Sequence, residues 1–309
     1  MNISLRQLVY FLALIEERNF GRAAARVHVS QPALSMRIRE LEASLGVQLV
    51  ERLPRDVVPT RAGRALAERA RRVLAEMHEL TAEARHQVPG GALLLGVIPT
   101  VAPYLLPLAL PHLRALPGAR ALRLREAQTA TLLAELRSAE LDAVVIAAPL
   151  NDPALTAEPL FEDRFLLATS ADRLAALGVA HEALRPRRLD PGQLLLLDEG
   201  HCLADQALEV CGLGRGTTRL DLGASSLATL CGLVAQGIGL TFLPELALSA
   251  ESAAAPALTV ARFAAPEPAR QIVLARRASS SGEDWFAPLA EILTAAGESL
   301  TAAARARCP

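Results

Sequence analysis

The stretch Phe20-Gly21-Arg22-Ala23-Ala24-Ala25-Arg26-Val27-His28-Val29-Ser30-Gln31-Pro32-Ala33-Leu34-Ser35-Met36-Arg37-Ile38-Arg39-Glu40-Leu41 decides how the front of this 309-residue chain folds. Gly21 to Val27 reads as a short alanine-rich helix, and His28-Val29 as a tight turn. Ser30 is a good N-cap, and Gln31 and Pro32 fill a first turn where a missing N–H does no harm. Leu34, Ile38, Leu41 and Leu45 recur at i, i+4, i+7 and i+11, which predicts a second helix to about Leu45 with these residues inward. Gln31, Pro32, Ser35, Met36 and Arg39 lie off that stripe. A short helix, a tight turn and a helix with a small, polar, exposed start is helix-turn-helix geometry, in which the second helix enters the major groove by its N-terminal residues. The plainer alternative is an ordinary three-helix cluster.

The flanks favour the first reading. Leu5, Leu8, Phe11, Leu12 and Ile15 predict an amphipathic helix over Leu5–Glu17. Val47–Leu53 and Val57–Pro59 form a hairpin-like pair around Pro54-Arg55-Asp56, a wing from which Arg52 and Arg55 can reach phosphates. Thr60 can cap a long helix, about Arg61–Gln87, with an apolar line of Leu66, Ala70, Val73, Met77 and Leu80 on a charged rod. One narrow seam predicts pairing with a second copy; the alternative is packing on its own chain. Pro89-Gly90-Gly91 marks a boundary. Residues 1–88 carry 14 Arg against 10 Asp and Glu, and the remainder 18 against 23, so the front is mildly basic. All 32 basic residues are arginine, so every cationic contact can be a bidentate fork. No apolar run reaches membrane-spanning length, and the N-terminus lacks a secretory pattern, so a cytoplasmic location is expected.

Beyond Ala92 the pattern alternates. Strands are expected at 92–98, 122–126, 143–147, 164–168, 193–197, 218–222, 239–243 and 271–275. Helices are expected at 104–116, 131–138, after His201, 227–236 and 285–296, with Gly297 as the last stop. This predicts an α/β region with an open, mostly parallel sheet, whose ligand site lies at strand C-termini near helix N-termini. Thr100, Thr129 and Cys202 occupy three such junctions. Taken singly, each threonine reads first as a plain N-cap.

Asp198-Glu199-Gly200-His201-Cys202-Leu203-Ala204-Asp205-Gln206-Ala207-Leu208-Glu209-Val210-Cys211 carries two of the four cysteines. The set Cys202, Cys211, Cys231 and Cys308 is too sparse for a secreted disulfide framework and lacks the spacing of a zinc site. Buried cysteines are ordinarily small apolar residues. A neighbouring histidine and a helix N-terminus are instead the surroundings of a reactive one. If the helix is continuous, the two thiols lie on opposite sides, with Cα atoms about 13 Å apart. A disulfide spans at most about 7 Å, so that bond requires unwinding.

Residues 20–26, 30–35, 38–42 and 45–49, with Pro59-Thr60-Arg61-Ala62-Gly63, resemble the LysR-type transcriptional regulators. That resemblance covers the whole chain. It implies a winged helix-turn-helix at 1–60, a linker and dimerisation helix at 61–89, and a two-lobed, periplasmic-binding-protein-like effector domain at 90–309. The lobes would be 90–163 with 267–309, and 164–266. The Cys202 segment, Ala127-Gln128-Thr129 and Leu243-Pro244 are similar to the family's peroxide-sensing members. For those, the resemblance implies Cys202 as the thiol attacked by hydrogen peroxide, Cys211 as the resolving thiol, and Thr100, Thr129 and His201 as residues placing the peroxide. It also implies promoter DNA read by Gln31, Pro32, Ser35 and Met36, a dimer of dimers, RNA polymerase as partner, and no cofactor, metal or enzymatic activity. Such members commonly carry an arginine where this chain has Ala204, so a cation that could support the reactive thiol is missing. A member sensing a metabolite between its lobes, and a thiol peroxidase, are the competing readings.

Overall fold

The computed structural model describes residues 3–53, 56–87, 92–115, 121–178, 184–198, 202–213, 220–280 and 284–308. Two compact units are present, each with its own hydrophobic core.

The first takes in Met1–Gln87. Helix α1 (Leu5–Glu17) begins with a capping box: the Gln7 N–H donates to Ser4 Oγ, and the Ser4 N–H donates to Gln7 Oε1. Helix α2 (Phe20–Arg26) is capped by Asn19, and α3 (Gln31–Leu45) by Ser30, with Gly46 in the left-handed region at its end. Leu34, Ile38 and Leu41 are fully buried, as their spacing predicts, against Phe11 and Leu14 of α1. The wing is an antiparallel pair, β1 (Val50–Leu53) and β2 (Asp56–Pro59). The Glu42 carboxylate holds it to α3 by accepting from the Leu49 and Val50 N–H groups. Helix α4 (Arg61–Gln87) starts where Thr60 Oγ1 accepts from the Gly63 N–H.

Here one expectation is corrected. Ala70 is 1% exposed within its own unit's core, and Leu66 packs on that core, so neither is available to a partner as part of a seam. The exposed apolar residues further along α4 are Val73, Met77 and Leu80. The first turns of α4 pack on α1, which consumes the apolar stripe there.

The second unit spans Val88–Arg137 and Leu141–Pro309. It opens with a β-α-β-α-β run: β3 (Leu93–Val97), α5 (Ala102–Ala115), β4 (Leu122–Glu126), α6 (Thr129–Arg137) and β5 (Ala143–Ala147). These three strands are parallel, with β3 in the middle. The long β6 (Leu155–Ser170) and α7 (Ala171–Leu177) follow, then β7 (Leu195–Leu197), α8 (Cys202–Cys211), β8 (Leu220–Ala224), α9 (Leu227–Ala235) and β9 (Thr241–Pro244). The chain closes with α10 (Leu248–Ala254), β10 (Leu258–Arg262), β11 (Ala269–Arg277) and α11 (Phe286–Arg307). The main sheet runs β10-β6-β11-β5-β3-β4, with β9 also on β6, and β7 and β8 form a separate parallel pair.

The sheet is mixed rather than mostly parallel, because β5, β6, β9, β10 and β11 pair antiparallel. Strand β6 serves both halves: residues up to Arg164 pair with β11, and residues from Phe165 pair with β9 and β10. The second correction is Gly297. It does not stop the last helix, which continues to Arg307. A Cβ there would lie 2.1 Å from the Phe161 ring, so the glycine lets α11 press onto β6. Gly297→Ala is therefore expected to destabilise the fold by about 1–3 kcal/mol through overpacking, despite the roughly 1 kcal/mol that alanine gains in a helix. Denaturant unfolding measures this, and a more stable variant would contradict the close approach.

Candidate functional site

Thr129 is the first residue of α6, just past β4, and Cys202 is the first residue of α8, just past β7. The fold brings these two helix starts together: Thr129 Oγ1 and Cys202 Sγ are 2.6 Å apart in a half-buried position. Helix starts carry unpaired N–H donors, which favour negative charge developing nearby. One turn along α8 from Cys202, Gln206 shares its face. Its Nε2 donates to the Ala148 carbonyl at 3.4 Å, while its buried Oε1 has no donor. A nucleophilic sulfur, a hydroxyl and an acceptor lacking a donor suit a small molecule that both donates and accepts hydrogen bonds.

Thr100 lies three residues past β3, just as Thr129 lies three past β4, and the two strands are neighbours. Its hydroxyl oxygen is already engaged. Thr100 Oγ1 accepts from Arg270 Nη1 at 2.9 Å, and its carbonyl from Nη2 at 3.2 Å. Arg270 is itself fully buried against Asp163 at 2.9 Å, and the other Asp163 oxygen accepts from the Leu246 N–H. Burial holds the Asp163 carboxyl above the usual carboxylate range, outweighing the opposing pull of the Arg270 guanidinium and that N–H. Acting as acceptor for Arg270, the Thr100 oxygen keeps its own proton to donate elsewhere. No hydrogen bond joins Thr100 to Cys202 among the described residues. His201 lies outside the described residues.

Helix α8 is unbroken from Cys202 to Cys211, and all four cysteines are free thiols. Leu203, Ala204, Ala207, Leu208 and Cys211 form its buried side. Burial pushes the Cys211 thiol up to about 11, and burial with the nearby Glu251 carboxylate pushes Cys231 up to about 12. Ala204 is only 7% exposed, so an arginine introduced there would have to displace its neighbours or bury its charge. Substitution at Ala204 therefore does not restore the missing cation in this packing. No group of three metal-binding side chains is found among the described residues.

In the first unit, Gln31, Pro32 and Met36 are exposed and Ser35 is half-exposed. Pro32 and Met36 lie opposite the buried stripe of α3, Ser35 flanks it, and Gln31 lies beside it at the helix start. Arg52 is exposed on the wing, its guanidinium 4.7 Å from the centre of the Phe20 ring. Arg55 lies outside the described residues. The sequence reading missed Gln206 and the Arg270–Asp163 pair as site residues. Gln206 was within reach, being one helical turn from Cys202, whereas nothing in the sequence links Arg270 to a carboxylate 107 positions away.

The pattern of the LysR substrate binding domain matches residues 86–297, and that of bacterial regulatory helix-turn-helix proteins of the lysR family matches 5–64. The chain belongs to the LysR family. LysR-family proteins are transcriptional regulators rather than enzymes. A probable hydrogen peroxide-inducible genes activator of Streptomyces viridosporus is 43% identical over 94% of this chain and 93% of its own length. The DNA-binding transcriptional dual regulator OxyR of Escherichia coli is 40% identical over 95% of each. Among solved structures, a cysteine-to-serine mutant of Corynebacterium glutamicum OxyR with hydrogen peroxide bound is similar at TM-score 0.65. It is 34% identical, over 99% of this chain and 96% of that one. Among the described residues, no helix of this LysR-family chain is long and apolar enough to cross a membrane.

The burial differences order the thiols. With an alkylating agent near neutral pH, half-exposed Cys202 is expected to be labelled first, while Cys211 and Cys231 lag until the pH approaches about 11 and about 12. Peptide-level mass spectrometry reads this. Cys211 labelled as fast as Cys202 at neutral pH would mean that α8 does not bury it.

Proposed function

We propose that this protein is a peroxide-sensing, DNA-binding transcriptional regulator switched by oxidation of Cys202 to a Cys202–Cys211 disulfide. The observation that carries the reading is the Thr129 hydroxyl against the Cys202 sulfur at the start of an unbroken α8. A peroxide entering there donates to Gln206 Oε1 and accepts from a threonine hydroxyl, Thr129 or Thr100, with His201 as a further positioning group. The Cys202 sulfur takes one peroxide oxygen as the O–O bond breaks, and the other oxygen leaves as water, giving a sulfenic acid. Attack by the Cys211 thiol then forms the disulfide and releases a second water.

That last step couples chemistry to shape. The Cα atoms of Cys202 and Cys211 stand about 13 Å apart along the helix, so α8 unwinds before the bond closes. Unwinding also takes Cys211 out of the burial that raises its pKa, toward the ordinary 9.0. The sign follows: the buried thiol stabilises the helical form fully below about pH 9, and that contribution is lost as pH rises through about 11.

At the other end, Gln31, Pro32, Ser35 and Met36 enter the major groove of promoter DNA, and Arg52 and Arg55 hold phosphates. We assign 1–60 to DNA binding, 61–89 to linkage and 90–309 to regulation, with the lobes meeting where β6 changes partners. Val73, Met77 and Leu80 of α4 pair with a second copy, and dimers pair again into a tetramer. The oxidised tetramer engages promoters and RNA polymerase in the cytoplasm.

Low peroxide is expected to give a Cys202–Cys211 disulfide in a non-reducing peptide map. Cys202→Ser abolishes the response, and Cys211→Ser leaves a sulfenic acid that a dimedone probe labels. If Cys202 resists peroxide at concentrations that oxidise free thiols, or if its oxidation leaves promoter binding unchanged, the reading falls. The double variant Val73→Glu, Met77→Glu is expected to lose self-association through α4 in sedimentation. An assembly unchanged from the parent would place that interface elsewhere.

A further inference from the structure

We infer that Arg187 is a positioning residue for the switch: its guanidinium holds the C-terminal end of α8 and so biases the Cys202–Cys211 couple toward the reduced, helical form. The inference rests on the disulfide reading above. Helix α8 ends with the Gly212 N–H donating to the Glu209 carbonyl and the Leu213 N–H to the Leu208 carbonyl, both at 2.9 Å. Gly212 has φ +68°, so the end is a Schellman motif with Cys211 as the last helical residue. Arg187 comes from the short 3₁₀ turn Pro186–Arg188, which packs on α8. A Cβ built on Gly212 would lie 3.5 Å from Arg187 Nε and 3.7 Å from its Cζ. The guanidinium thus rests against the residue next to Cys211.

Helix α8 supplies no cation of its own there. The last turn of α8 holds no basic residue and does hold Glu209, and a helix C-terminus is already the negative end of the dipole. Among the described residues, Arg187 has no ion pair or hydrogen bond that would draw it elsewhere. Closing the disulfide moves Cys211 and dismantles the motif, so the favourable contact is present in the reduced state and lost in the oxidised one. Removing the cation therefore favours the disulfide.

The test uses the full chain in glutathione buffers, where the protein disulfide and two glutathione thiols exchange with two protein thiols and glutathione disulfide. The ratio is read by alkylation and mass spectrometry. Arg187→Ala is expected to shift the equilibrium about threefold toward the disulfide, about 14 mV at 29.6 mV per tenfold. Arg187→Lys restores most of the shift, Arg188→Ala does not reproduce it, and about 1 M salt erases it. Equal ratios in the parent and Arg187→Ala at low salt, a shift that persists in high salt, no rescue by lysine, or the same shift in Arg188→Ala each overturns the inference. If the parent forms no such disulfide, the function proposed above fails on its own. Hydrogen exchange of the reduced protein then decides Arg187: amides of 208–213 should exchange about threefold faster in Arg187→Ala, and unchanged exchange overturns its role.

Discussion

An α-helix cannot contain a disulfide between residues nine apart. The rise per residue fixes their Cα separation at about 13 Å, nearly twice what the bond spans. Much of the second unit around Cys202 makes sense against that constraint. The helix start places Cys202 beside Thr129, the helix body buries Cys211, and the helix end is closed by Gly212 with Arg187 against it. The reduced state therefore keeps the two thiols apart by backbone hydrogen bonding and keeps the second one protonated by desolvation. One event, loss of the helix, removes both barriers.

The surroundings of the attacking thiol are built differently, for rigidity. Thr100 is fixed by a buried arginine that is itself fixed by a buried aspartate, which in turn accepts from the backbone before α10. Removing one partner of such a buried pair leaves an uncompensated charge and costs about 3–5 kcal/mol. That gives Thr100 a set orientation through a network reaching from β3 across β11 and β6. Thr129 needs no such support, because it starts its own helix.

Periodic signals were legible in the sequence, and pairings between distant residues were not. Leu34, Ile38 and Leu41 named the buried side of α3 because a 3.6-residue repeat has no competing explanation. The start of the α4 seam was misread for a related reason: Ala70 does face an apolar surface, but that surface is its own core. Strand direction leaves no mark on an alternating pattern, so the antiparallel β6, β9 and β11 were read into a parallel sheet, and β10 was not read as a strand at all. The first half of β6 was missed because Glu158, Pro159 and Glu162 interrupt it. A register shift opposite Ile272 and Val273 accommodates the proline by passing over Leu160. At the site, residues at strand-to-helix junctions were found, and the Arg270 support was not, since no local pattern encodes a partner across the sheet.

The composition of α8 also suits a helix that must come apart. Ten residues are too few for a helix to be stable by itself in water, so α8 depends on packing. Its buried side includes two leucines, Leu203 and Leu208, while Ala204 and Ala207 contribute little area. Fully burying a leucine is worth about 1.5–3 kcal/mol, so exposing this face costs on the order of several kcal/mol. A disulfide couple some 100 mV from its surroundings supplies roughly 5 kcal/mol, which is the same scale. With alanine at 204 and 207, the two leucines supply most of the apolar area that unwinding exposes. The alanine at 204, which looked like a missing cation when read from sequence alone, is in the folded protein part of what keeps the cost of unwinding low.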